Sequence, residues 1–260
     1  MENQIPEQNS SPSVARDNSN WSPPIPKLDA SNLPPGSINL NLAGKRLTSP
    51  LQGFGPLWQK TYKIRLSGVE VTPQEVIKTW KENFAKFQPD EIHFHPPTAG
   101  VRPGELMPID FNLPIGPGLP ELFPLAGGVS IVYADEISFT VMTPEGFPIS
   151  GWNTFSAYEE DGATVAQVQS LIRSTDPIYE FGIRFMGGKA KQEKDWIHVL
   201  TKLAGHYDVK GHVQVTNICV DPSLQWGAVK NVLQNGAIRT FFYKLATPLR
   251  WLARPFQRQP

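Results

Sequence analysis

"ISGWNTFSAYEEDGATVAQVQSLIRS", residues 149–174, decides the fold. It holds two strand-like runs, 149–158 and 163–174, joined by the tight turn "EEDG". A link this short joins neighbouring antiparallel strands, because a parallel pair needs a crossover of about a dozen residues or more. Side chains alternate across a strand. Val165, Gln167, Gln169, Leu171 and Arg173 therefore share one face, and Ala166, Val168, Ser170 and Ile172 the other.

The pattern extends upstream and downstream of this hairpin. Upstream, "TYKIRL" alternates Tyr62, Ile64 and Leu66 against Lys63 and Arg65, which predicts a half-buried strand. Thr72, Pro73 and Glu75 then form a capping box with proline at the first helical position, and Val76, Ile77, Trp80, Phe84 and Phe87 follow on one helical stripe. "EIHFHPP" and "ELMPIDF" read as extended segments, and "VSIVY" and "EISFTVM" as one long strand bent at Ala134–Asp135. "TPEG" turns the chain into the hairpin. Downstream, "YEFGIRF" predicts a further strand, and "GGKAKQEKDWIHVLTKLAGHY" a long amphipathic helix with Trp196, Val199, Leu200 and Leu203 on its stripe. Such a sheet has a face to cover, and the late helix covers it. The expected class is α+β: a curved antiparallel sheet gripping a long helix, with extra C-terminal helices.

Residues 143–182, "TPEGFPISGWNTFSAYEEDGATVAQVQSLIRSTDPIYEFG", look like the paired central strands of bacterial members of the START/polyketide-cyclase-like (SRPBCC, helix-grip, Bet v 1-like) superfamily. "CVDPSLQWGAVKNVLQNGAIRT" looks like the tail of such proteins. The resemblance implies a cavity between sheet and helix for lipid- or polyketide-like ligands, and in some members cyclisation or hydrolysis. Two departures stand out: a long N-terminal segment, and about fifty residues after the late helix.

Residues 1–57 hold nine prolines with many Asn and Ser, and are expected to form a disordered or loosely wrapped tail from which "INLNLAG" docks as an extra strand. Residues 58–220 form the predicted helix-grip domain, and 221–260 a basic amphipathic helical extension. Asp221 and Pro222 read as the cap and first position of a helix. Beyond Asp221 there are basic residues and no acidic ones. Ile238, Phe241, Phe242, Leu245, Leu249, Leu252 and Phe256 form a helical stripe that Pro248 should kink or divide. The whole chain balances 24 basic against 24 acidic residues, which argues against nucleic acid as a partner. A single cysteine, Cys219, excludes an internal disulfide and is read as a small buried hydrophobe. Neither a signal peptide nor a spanning helix is predicted, so the expected location is cytoplasmic, or peripheral to a membrane.

Three groups of residues are candidates for function. His93 and His95, in phase with Glu91, suit proton transfer in a cyclase- or hydrolase-like enzyme; a metal site is not expected. Tyr133, Glu136, Trp152, Gln167, Gln169, Arg173, Tyr179 and Trp196 are candidates for the ligand cavity, against the competing reading that such strand residues form the sheet's wet outer face. Phe241, Phe242, Lys244, Arg250, Trp251 and Arg254 suit an anionic membrane surface, against the reading that the stripe packs on the domain or a partner. No GxSxG elbow, phosphate loop or dinucleotide fingerprint occurs, and no cofactor is expected. Binding of a small, mostly apolar ligand is favoured over catalysis.

Overall fold

The tight turn at 159–162 does close a hairpin. Asp161 and Gly162 both take positive φ, 47° and 72°, the pairing whose twist matches the strands it joins. It links β6 (Ile149–Glu160) to β7 (Ala163–Ser174) in continuous register from Glu160–Ala163 to Ile149–Ser174. The computed structural model describes residues 18–37, 40–116 and 121–253. Around this hairpin it builds β1 (Leu57–Leu66), β2 (His93–Phe94), β3 (Leu106–Pro114), β4 (Glu121–Ala134), β5 (Ser138–Met142) and β8 (Gln214–Asp221). The spatial order is β2-β3-β4-β5-β6-β7-β1-β8, with every pair antiparallel. The helices are α1 (Pro73–Glu82), α2 (Pro177–Phe185), α3 (Gly188–His206) and α4 (Gly236–Ala253). This is an α+β protein: a curved antiparallel sheet gripping the long helix α3, with C-terminal helices added.

The core forms where the apolar phases meet. Tyr62, Ile64 and Leu66 of β1 pair with Val168, Ala166 and Thr164 of β7, which in turn place Phe155 and Ala157 of β6 on the same face. Against that face α1 sets Val76, Ile77 and Trp80, and α3 sets Val199, Leu200 and Leu203, all fully buried. Trp80 meets Phe155 edge-on at 5.3 Å, and Phe155 stacks on Phe139 at 4.6 Å. The capping box of α1 is present: Thr72 accepts from the Glu75 amide, and Glu75 accepts from the Thr72 amide at 2.8 Å.

Several local expectations are corrected. "YEFGIRF" is helix α2, because Asp176 accepts from the amides of Ile178 and Tyr179 and Pro177 takes the first helical position. "VSIVY" and "EISFTVM" are two strands, since Asp135 accepts from the Ile137 and Ser138 amides and folds the link into a hairpin. Asp221 caps no helix; it ends β8, and a 3-10 helix follows only at Trp226–Gln234. Helix α4 is assigned unbroken through Pro248. Cys219 is exposed, because β8 is an edge strand with both faces largely open.

The segment 18–57, expected to be disordered or loosely wrapped, lies against the domain in its described parts. Trp21 bridges to Tyr133, Leu28 and Leu42 form a small cluster with Leu106, and Phe54 is buried. Its few apolar side chains cannot build a core of their own, but Leu28, Leu42 and Phe54 find seats on the domain, while Leu51 stays exposed. Residues 40–44 of "INLNLAG" form turns rather than an added strand, and residues 38–39 lie outside the described residues, as do 1–17.

Candidate ligand cavity

Helix α3 has two unlike halves. Val199, Leu200 and Leu203 fill the space beneath the second half. The first half, "GKAKQEKD", offers Gly188, Lys191, Gln192 and Asp195 toward the sheet, and none is a bulky apolar group. The space under it stays open, as a cavity of about 180 Å³ between α3 and strands β3 to β6. Its walls are mainly apolar: Ile109 and Phe111 of β3, Val129 of β4, Val141 of β5, Phe155 of β6 and Trp196 of α3. The Trp196 ring meets Phe155 at 5.6 Å, and its buried Nε1 has no acceptor among the described residues.

The polar part of the wall is confined and mostly tied. Asn153 accepts from the Ser170 hydroxyl at 2.5 Å, Gln88 donates to the Phe84 carbonyl at 3.1 Å, and Lys191 pairs with Asp195 at 3.3 Å. Gln192 accepts from Lys60 Nζ at 2.5 Å. Lys60 projects from β1 in phase with Tyr62 and Ile64 and is only 4% exposed. Burial, reinforced by the neighbouring charge of Lys189 and opposed by Glu193, lowers its ammonium pKa to about 8. A second void of about 290 Å³, which Lys60 lines, shares Ile149, Ile183 and Gln192 with the cavity.

The expected cavity residues separate. Trp196 stands on the wall. Trp152, Gln167 and Gln169 pair with Leu171, Ser156 and Thr154 on the face of the sheet away from the cavity, where they are half-buried. Parity decides this: the phase of Tyr62, Ile64 and Leu66 fixes Ala166 and Val168 inward, and Gln167 and Gln169 must then face out. Tyr133 is also on that face, covered by Trp21 at 4.6 Å, with its hydroxyl donating to Asp135 at 2.5 Å. Glu136 is exposed at the β4–β5 turn. Arg173 is 3% exposed and acts as a clasp: it donates to the Gly55 carbonyl at 2.6 Å, the Ser223 carbonyl at 3.1 Å and the Asp221 carboxylate, and its stem borders the second void. Tyr179 sits at the base of α2, donating to the Gly146 carbonyl at 3.1 Å and accepting from the Ala237 amide at 2.9 Å; burial raises its pKa.

The histidines are likewise off the cavity. In "EIHFHPP" it is Ile92 and Phe94 that reach the wall, so Glu91, His93 and His95 point elsewhere. His93 is exposed opposite Asp110, and His95 Nε2 lies 2.8 Å from the Asp110 carboxylate. Neither His93 nor His95 lines this cavity. Among the described residues, no three His, Cys, Asp or Glu side chains gather as a metal site.

At the C-terminus, α4 starts docked: Ala237 and Thr240 are buried, and the Thr240 hydroxyl accepts from Asn41 at 3.0 Å. Phe241 stacks on Phe123 at 5.5 Å, while Phe242, Lys244 and Leu245 are exposed. The side chains of Arg250 and Trp251, and all of Arg254, lie outside the described residues. No helix among the described residues is long and apolar enough to cross a membrane.

No family model and no curated protein matches the chain. Solved structures similar to part of it include protein Ms6760 from Mycobacterium smegmatis, at 16% identity over 63% of this chain and 96% of that one, with a TM-score of 0.38. A conserved protein from Geobacillus kaustophilus matches at 12% identity over 60% of this chain and 99% of that one, with a TM-score of 0.41. The di-domain ARO/CYC StfQ from the steffimycin biosynthetic pathway matches at 9% identity over 59% of this chain and 53% of that one, with a TM-score of 0.39.

Proposed function

We propose that this protein binds a small, mostly apolar molecule in the cavity beneath the first half of α3. The observation that carries the reading is the void itself. About 180 Å³ stays open behind aromatic and aliphatic walls. An apolar cavity of about 150 Å³ accepts a benzene-sized guest. The space suits one ring or a short aliphatic chain rather than a full-length lipid. Among the described residues no histidine stands on the wall, which favours a carrier or sensor over a cyclase. The test is native mass spectrometry of the purified chain, together with a thermal-shift series of toluene, ethylbenzene and indane. A copurified small molecule or saturable stabilisation by these probes is expected. Failure of every probe to shift the transition, with no copurified mass, ends the reading.

A second reading, contact with an anionic membrane surface, is favoured by one observation. Phe181 and Phe185 of α2 are 56% and 57% exposed, and Phe242 and Leu245 of α4 are 61% and 63% exposed. Arg184, Arg239 and Lys244 are exposed on the same two helices. Apolar groups flanked by cations suit a headgroup interface. Co-sedimentation with vesicles containing phosphatidylserine should fall when Phe242 and Leu245 are both changed to Ser. No retention of the intact chain on such vesicles rules this reading out.

A further inference from the structure

Lys60 is a buried charged group that the apolar-ligand reading leaves unused. A lysine ammonium carries three donors, and Gln192 accepts from it here. Burying a charge without a carboxylate costs stability. On β7, Arg173 is tied to Asp221. On α2, Arg184 is tied to Glu180 at 2.9 Å. On α3, Glu193 accepts from Asn217 of β8 at 3.2 Å, and Lys189 lies over the Trp58 ring at 5.1 Å without a carboxylate partner among the described residues. Neither Lys60 nor Lys189, which line the second void together with Glu180, makes an ion pair among the described residues, although the charge of Glu193 is felt at Lys60. This void adjoins the apolar cavity through Ile149, Ile183 and Gln192.

We propose that the bound molecule is a small monocarboxylate, its apolar body in the cavity under α3 and its carboxylate on Lys60 and Lys189 in the adjoining void. The proposal rests on the ligand-binding reading and names the substrate class of that site. An apolar space gives affinity without direction, and a fixed cation at one end selects molecules that carry an anion on a short tether. A buried ammonium that a guest carboxylate completes also explains a lysine where a leucine would pack. Because the Lys60 ammonium sits near pKa 8 when the site is empty, affinity for an anion should decline as pH rises beyond that value, whereas a neutral guest should bind equally throughout.

The experiment uses the full chain and three probes: ethylbenzene, 3-phenylpropionate and the neutral 3-phenylpropionamide, each titrated by calorimetry or NMR. The acid should bind about tenfold or more tightly than the amide, as charge-assisted hydrogen bonds do relative to neutral ones. The advantage should shrink in Lys60→Met, and in Lys189→Met, whose exposed position keeps the fold intact should the buried substitution not fold. It should also fade between pH 8 and 9.5. If ethylbenzene and the amide bind but the acid is no tighter, or its advantage survives both substitutions, the carboxylate proposal is overturned while the cavity reading stands. If ethylbenzene does not bind, the cavity reading fails and this proposal falls with it.

Discussion

Phe155→Ala tests packing and binding in one change. The Phe155 ring is fully buried on β6, stacked on Phe139 at 4.6 Å and edge-on to Trp80 and Phe84, both at 5.3 Å, and to Trp196 at 5.6 Å. Its remaining edge lines the cavity. Truncation opens a hole of roughly 100 Å³, which at ~24 cal/mol per Å³ costs about 2.4 kcal/mol, and the lost transfer of the ring brings the total to about 4–5 kcal/mol. Collapse cannot relieve much of this, because the neighbouring side is already empty. Equilibrium urea unfolding reads the loss directly; in a chain of this size it corresponds to a fall in Tm of roughly 10–15 °C. The hole also merges with the existing 180 Å³. A probe series from toluene through naphthalene to biphenyl should therefore shift its best fit from one ring to two. A loss under about 2 kcal/mol, or an unchanged size preference, would show that this ring does not divide core from cavity, and the placement of the site would be wrong.

Three further outcomes follow from the clasp and the caps. Arg173→Met removes the donors to Gly55, Ser223 and Asp221, and since the Asp221 side chain is 36% exposed and stays solvated, urea unfolding should show a loss of about 2–3 kcal/mol rather than the larger penalty of a stranded charge. The Asp221 carboxyl is held down at about 2 from 3.8, by Ser223's hydroxyl and amide first and by Arg173 after them. A folded value below the unfolded one gives stability that is complete above 3.8 and disappears as pH falls through about 2. Asp221→Asn should accordingly flatten the Tm profile in that window and leave the profile's shape near neutrality unchanged. Thr72→Ala, which deletes the α1 cap, should cost about 1 kcal/mol; a Tm equal to that of the parent would deny the cap its role.

What the sequence disclosed was mostly local. The turn at Asp161–Gly162, the capping box at Thr72 and the alternation of β1 are each written within a few residues, and each forms as read. "YEFGIRF" was misread because its alternation imitates a strand, although the Asp176–Pro177 pair just before it already carries a helix start. The site was less legible for a reason of parity. Two faces of β7 could be told apart from sequence, but which one faces α3 depends on the register with β1. The phase of Tyr62, Ile64 and Leu66 answers that question and leaves Gln167, Gln169 and Trp152 outside. The same phase includes Lys60, so this buried cation was visible as a lysine standing in an apolar row. The seating of residues 18–57 could not be read locally, because Trp21, Leu28 and Leu42 are held by surfaces far away in sequence.

The cavity is a property of α3's sequence rather than a lapse in packing. Had residues such as Val199, Leu200 and Leu203 recurred in the turns before Trp196, the same sheet would have been filled along its length. Instead the helix carries Gly188, Gln192 and Asp195 there, and the strands below keep Val129 and Val141 instead of larger side chains. The chain therefore forgoes stability at this spot, and filling the spot should recover some. Val141→Leu adds one methylene group inside a void that has room for it, worth about 0.5–1 kcal/mol if the rotamer fits. The same group occupies space a guest ring needs, so affinity for ethylbenzene should fall while urea resistance rises. Opposite signs for the two quantities are the signature of a site kept open for a ligand. A variant that loses both, or gains both, would mean that Val141 does not face usable space, and the emptiness under α3 would then be an ordinary packing defect.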